Sequence, residues 1–215
     1  MTHTLRIDDL RAPQLTEVQR AALDWAAQQP LEFTESAVLD AARRRTGLSD
    51  FGPDDFRERL QLLLDEWAQD AEMTASQRLN LFGYLVRYAS NRLLLQQAWR
   101  QHPEALAQPI ERPIIVAGLP RSGTTHLLNL LAADSRFRSL PLWESYEPVP
   151  LPGEATLADG TDPRMQRCAE AWEGMQAVTP LLAAMHPMNP EHIHEELELM
   201  GPDFASYNFE WLAPS

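Results

Sequence analysis

Lysine is absent from this chain of 215 residues, so all 18 of its basic residues are arginine. Chemistry that needs an ammonium group close to a phosphate therefore has no residue to supply it. Cysteine occurs once, as Cys168, which excludes an intrachain disulfide and a cysteine-based zinc site and fits a reducing compartment. No segment approaches the ~18 uninterrupted apolar residues of a membrane span, and "MTHTLRIDDLRAP" has no apolar core of signal-peptide type. A cytoplasmic, soluble protein is the expectation. Positive charge is also scarce: 31 acidic residues leave a formal charge of -13. That excludes a broad phosphate-backbone footprint for nucleic acid, and any anion site must be local. The acid excess is greatest from Pro150 onward, where 11 acidic residues face 2 arginines.

What is present begins as helices. Thr16-Glu17-Val18-Gln19 is a capping-box pattern ahead of Val18, Ala21, Ala22 and Trp25. Thr34 caps a second stretch carrying Val38, Leu39 and Ala42, which stops at Gly47. Pro53-Asp54-Asp55 opens a third, with Phe56, Leu60, Leu63, Leu64 and Trp67 along one side. A long fourth helix, from about Thr74 to Trp99, is expected to show Leu79, Phe82, Val86, Ala89, Leu93 and Trp99 on one face, ending at His102-Pro103.

The texture changes after Pro109. Ile114, Ile115 and Val116 form a continuous β-branched run, as in a strand buried on both faces of a parallel sheet. A helix over Gly123–Ala133 follows. The proline-rich "FRSLPLWESYEPVPLPG" reads as a short strand passing into an irregular loop. Asp162-Pro163 starts another helix, and a last one covers about Glu191 to Met200. The expected division is a helical region, 1–108, and the start of an α/β domain, 109–215.

"GLPRSGTT" joins the predicted strand to the helix. The first amides of a helix are unpaired and its dipole is positive there, so a phosphate or sulfate suits the position. Gly118 and Gly123 permit the close turn, Ser122, Thr124 and Thr125 add hydroxyls, and Arg121 adds a fixed cation. The two glycines match the spacing of a nucleotide P-loop. The lysine that reaches the terminal phosphates is replaced by Thr124. ATP or GTP hydrolysis is thereby the weaker reading, although a P-loop-like kinase using arginine in place of lysine remains an alternative.

The same residues resemble the 5′-phosphosulfate loop of sulfotransferases, which use 3′-phosphoadenosine 5′-phosphosulfate as donor. The sequence from "HPEALAQPIERPIIVAGLPRSGTTHLLNLL" through "DPRM" to "MHPMNPEHIHEELELM" is similar to the bacterial branch of that family. The resemblance implies a P-loop-like fold, a parallel sheet flanked by helices with a helical N-terminal segment before it. It also implies that the amides of Ser122, Gly123, Thr124 and Thr125, with the threonine hydroxyls, hold the phosphosulfate. Arg121 would lie beside the bridging oxygen, where charge grows as the sulfuryl group departs. No metal is required, and the acceptor is expected to be a small or glycan-like molecule with a hydroxyl or amine.

Transfer also needs a group to take the acceptor's proton. Glu144, in "LWESYEPVP" on the segment after the phosphate helix, is the candidate base, with Trp143 beside it as a desolvating neighbour. The alternative is an ordinary loop carboxylate. His186 in "MHPMNP" is the rival base. His126 lies on the first turn of the phosphate helix, and His192 and His194 stand at i, i+2, unlike the i, i+4 pair of a zinc protease. Glu195, Glu196 and Glu198 read as a solvated acidic face, or as carrying a partner for an arginine outside this sequence. Met185, Met188 and Trp172 read as core, or as lining an acceptor pocket.

The family's 3′-phosphate- and adenine-binding residues have no match here, and a parallel sheet needs more strands than this sequence offers. The expectation is an incomplete sheet, the first half of an enzyme, that binds donor poorly alone. A non-catalytic fragment acting as an interaction module, or associating through an open sheet edge into a homo-oligomer, is the further alternative.

Overall fold

The structure is a computed structural model that describes residues 7–9, 11–119, 122–186 and 188–212. Helices dominate. In chain order they are α1 (Glu17–Ala27), α2 (Glu35–Thr46), α3 (Phe56–Gln69), α4 (Ala75–Gln101), α5 (Pro103–Leu106), α6 (Thr124–Ala132), α7 (Leu142–Tyr146), α8 (Pro163–Val178), α9 (Leu182–Met185), α10 (Leu197–Met200) and α11 (Asn208–Leu212), with a 3-10 turn at Gly201–Asp203.

The helix starts follow from their caps. Thr16 and Thr74 each accept from the third residue of their helix while a glutamine returns the bond, which closes two capping boxes. Thr34 accepts from Ala37 N–H, and Gly47 ends α2 in the left-handed conformation at φ 71°. Asp162 accepts from Arg164 N–H ahead of Pro163. Asp55, by contrast, precedes α3 without a side-chain cap.

The core lies between α2, α3 and α4. Val38, Leu39, Phe56, Leu60, Leu64, Leu81, Leu85, Tyr88 and Leu93 are buried together, and Phe204 and Phe209 return from the end of the chain into the same cluster. Phe204 stacks on Phe56 with centroids 5.8 Å apart, and Phe209 meets Tyr88 edge-on at 5.7 Å.

Two predicted faces differ from this arrangement. On α1 only Ala26 is buried, while Val18 and Trp25 are 52% and 57% exposed. On α4 the inward row is Leu81, Leu85 and Tyr88, and the run from Tyr88 to Leu94 is buried on every side. Phe82 and Val86 are only half-buried and Trp99 is exposed. The physical reason is that 200s residues and α7 cover the polar side of α4. Arg92 Nε donates to Phe51 O at 2.7 Å, its Nη2 donates to Pro53 O at 2.8 Å, and its guanidinium lies 4.4 Å above the Phe56 ring. Asn91 Nδ2 donates to Tyr146 O at 2.7 Å.

The strand at 114–116 does not form. The segment is extended but unpaired within the described residues, with Ile114 56% and Ile115 79% exposed. A strand is held by a neighbour's backbone groups, and no described segment lies beside this one in a ladder. The strand expected before the proline-rich loop is reduced to one antiparallel bridge, Pro141 with Ile193, followed directly by α7. The last predicted helix is mostly loop: only Leu197–Met200 is helical. No described helix is long and apolar enough to cross a membrane.

Candidate functional site

The candidate site is the turn at 118–125. Gly123 is the N-cap of α6 at φ 95°, in the left-handed region where a side chain is strained. The first bond closing the helix runs from Leu127 N–H to Gly123 O at 3.0 Å, so the amides of Thr124, Thr125 and His126 stand ahead of the intrahelical ladder. The N-cap residue, a glycine, supplies no side-chain cap to them.

Upstream, Ser122 closes the turn on Leu119, its N–H at 3.2 Å and its hydroxyl donating at 2.6 Å to the same carbonyl. A side chain at Gly118 would crowd two neighbouring side chains of the turn. A Cβ there would lie 2.8 Å from Thr124 Cγ2 and 2.9 Å from Ser122 Oγ. The amides at the start of α6 are the donors that fit a tetrahedral anion, while the Ser122 hydroxyl is engaged by Leu119 O and the Thr125 hydroxyl by Glu195. Arg121 and Pro120 lie outside the described residues.

Against the first turn of α6 lies a second segment, 186–195. It is pinned along the start of α7: Leu142 N–H donates to His192 O at 2.8 Å, Trp143 N–H to Pro190 O at 3.2 Å, and His194 N–H to Leu140 O at 2.8 Å. The register of that pairing delivers Glu195 to α6, where its carboxylate accepts from the Thr125 hydroxyl at 3.0 Å.

Three imidazoles stand in a row behind it. The rings of His186 and His192 have centroids 5.4 Å apart, and those of His192 and His194 are 6.5 Å apart. Burial holds both His192 and His194 below the usual imidazole value, against the opposing pull of the Glu195 charge. No group of three or more metal-ligating side chains gathers among the described residues.

The acidic stretch is anchored. Glu198 is 3% exposed and is not a solvated face. Its Oε2 accepts from the Tyr88 hydroxyl at 3.1 Å and lies 2.7 Å from Arg87 Nη2, an ion pair out of hydrogen-bond alignment, while Asn208 Nδ2 donates to Oε1 at 3.1 Å. The arginine partner expected from outside the sequence is thus within it.

Glu144 sits in the first turn of α7 and is ion-paired with Arg138. Trp143 is covered by the Arg164 guanidinium at 4.7 Å. Met185 is 66% exposed, contrary to its reading as core, and His126 is exposed. The Thr125–Glu195 contact spans 70 residues. Nothing local in the sequence encodes it, because it depends on how 186–195 pairs with α7.

A cavity of about 590 Å³ opens elsewhere, between α1, α4, α7 and α8, with Trp25, Leu79, Tyr84, Tyr146, Cys168 and Met175 in its wall. Neither the turn nor the 186–195 segment contributes to that wall.

Residues 113–215 match the sequence model of the sulfotransferase family. Among solved structures, sulfotransferase STF1 from Mycobacterium tuberculosis H37Rv is similar, with TM-score 0.69 and 30% identity over 85% of this chain and 53% of that one. Sulfotransferase STF9 from Mycobacterium avium is similar with TM-score 0.70 and 29% identity, over 87% of this chain and 48% of that one. No curated protein sequence matches. The chain therefore spans about half the length of these two structures. In sequence over 113–215 and in fold over most of its length, the chain is sulfotransferase-like.

Proposed function

We propose that the protein acts in sulfuryl transfer from 3′-phosphoadenosine 5′-phosphosulfate to the hydroxyl or amine of a small-molecule or glycan-like acceptor, with this chain supplying the phosphosulfate-binding turn. The observation that carries the reading is the start of α6 behind a left-handed Gly123 that supplies no side-chain cap, with Gly118 placed where a side chain would crowd Thr124 and Ser122. Backbone amides at that position favour a negative charge through their orientation and the helix dipole.

In this reading Ser122, Gly123, Thr124 and Thr125 hold the phosphosulfate. Arg121 stabilises the charge that develops on the bridging oxygen, where a fixed cation acts most strongly in the transition state. The bound donor supplies an activated sulfuryl group. The protein's own work is to align it with the acceptor and to receive the acceptor's proton. The candidate proton acceptors are Glu144 and His186, with Glu195 bonded to Thr125 in the turn.

Calorimetric titration with 3′-phosphoadenosine 5′-phosphate tests the reading. The protein expressed from the whole reading frame that carries residues 1–215 should bind it, and Thr124→Ala should weaken binding about tenfold, consistent with loss of a hydrogen bond to a charged group. Residues 1–215 alone should bind weakly, since the groups that select a 3′-phosphate have no match in this sequence. Transfer that survives a metal chelator favours sulfuryl transfer. Activity that disappears with magnesium favours the arginine-bearing kinase instead.

A further inference from the structure

We infer that the cavity between α1, α4, α7 and α8 is a binding site, separate from the 118–125 turn, for a hydrophobic organic anion: an apolar acyl or aryl body carrying one carboxylate. The inference does not rest on the donor reading, since no described residue of the turn or of 186–195 enters the cavity wall. At about 590 Å³ the space has the size of a small-molecule pocket.

The apolar half of the argument comes from α1. Ala22, Trp25 and Ala26 recur at helical spacing and all line the cavity. Of the three only Ala26 is buried, and Trp25 stays 57% exposed. The helix is nonetheless held in place, because Thr16 closes its capping box and Gln19 Nε2 donates to Val178 O, the last residue of α8, at 2.9 Å. An anchored amphipathic helix thus turns its apolar side to open space, with Leu79 of α4 and Met175 of α8 in the facing walls. An apolar body laid there takes that surface out of water without any rearrangement of the core.

Charge on the wall is one-sided. Arg45, Arg87, Arg164 and Arg167 line it, and among the described residues Glu147 is its one carboxylate. The other carboxylates that answer these arginines, Glu154, Asp162 and Glu198, lie outside the wall. Glu147 is shared between two guanidinium groups, pairing with Arg45 and, at 2.5 Å, with Arg167. Arg45 is the group placed to receive a ligand: its side chain is 34% exposed, and among the described residues Glu147 is its one ion-pair partner. Its fork of N–H donors can engage an incoming carboxylate while Arg167 keeps Glu147 compensated. Beside apolar walls that attraction is stronger than in water, so an uncharged ligand forgoes it and a cation is repelled.

The test is calorimetric titration of decanoate and of 2-naphthoate, each beside its uncharged methyl ester, into the protein from the whole reading frame. At least one acid should bind with one-to-one stoichiometry and about tenfold more tightly than its ester, and which acid binds tells an acyl body from an aryl one. Gly83 lines the cavity and an added Cβ there meets nothing within 4 Å, so Gly83→Phe should fill the space, keep the urea midpoint and abolish binding. Arg45→Gln, which leaves the cavity open, should weaken the acid about tenfold and leave the ester unchanged. Thr124→Ala, in the turn, should leave the acid within threefold of wild type. If neither acid binds, if acid and ester bind alike, or if Arg45→Gln or a folded Gly83→Phe binds the acid as wild type does, the cavity is not a site for a hydrophobic anion. If Thr124→Ala abolishes binding of the acid, the anion sits at the turn and the separate site is refuted.

Discussion

Arg87 and Glu198 meet inside the protein, with Tyr84, Tyr88 and Tyr146 around the guanidinium at 4.3 to 5.1 Å. Burying two charges is tolerable only when each compensates the other. Removing one leaves the second uncompensated, at about 3–5 kcal/mol. Glu198→Ala should therefore lower the stability measured by urea denaturation by about that amount, whereas the exposed pair Arg43–Asp40 should contribute less than about 1 kcal/mol. Gly118→Ala is the opposite kind of change. Its Cβ would press on Thr124 and Ser122 at the candidate site, so binding of 3′-phosphoadenosine 5′-phosphate should weaken at least about tenfold with little change in the urea midpoint. His192 and His194 set a pH response. Both are held below the ordinary imidazole value, so on acidification the unfolded state takes up protons before the folded one does. Their contribution is complete above the unfolded value of about 6.5 and declines as pH falls toward the folded values. Urea midpoints measured from pH 7.5 to 5 should fall across that window, and fall less in His194→Gln.

At the scale of elements, what could be read early was what is local. Thr16, Thr34, Thr74, Gly47 and Asp162 mark helix ends because a cap is a bond between residues two to four apart. Thr74→Ala should destabilise the chain by about 1 kcal/mol, measured by urea denaturation. Gly83 gives the reverse case. It lies inside α4, and an added Cβ would meet nothing within 4 Å, so Gly83→Ala should stabilise by about 0.5–1 kcal/mol. Gly201→Ala should destabilise, since its Cβ would fall 2.1 Å from the Tyr88 ring. The α4 face was not readable in the same way. A helix covered on all sides carries no single apolar stripe, and Ser90, Asn91 and Arg92 are buried because loops and α7 supply them with carbonyls.

At the scale of the whole molecule, the helical core closes over its polar groups while the segment ahead of the turn stays exposed. Burial pushes the Cys168 thiol up to about 11, and the residue is 5% exposed. Thiol reagents at pH 8 should label it slowly in the native chain and at once in urea. Hydrogen exchange should separate two segments: amides of 88–94 in the centre of α4 protected, and those of 114–119 exchanging within seconds for want of ladder partners. The sequence by itself determined the helix ends, the exclusion of lysine-dependent phosphate chemistry, and the Arg-Ser-Gly-Thr-Thr character of the turn, because each is a matter of residue type or of neighbours a few positions apart. Only the tertiary structure decided that Glu198 is buried against Arg87, that Glu144 is taken up by Arg138, and that Glu195 stands at Thr125. The Glu198–Arg87 and Glu195–Thr125 contacts join residues far apart in the chain, and such long-range contacts leave no periodic trace along it.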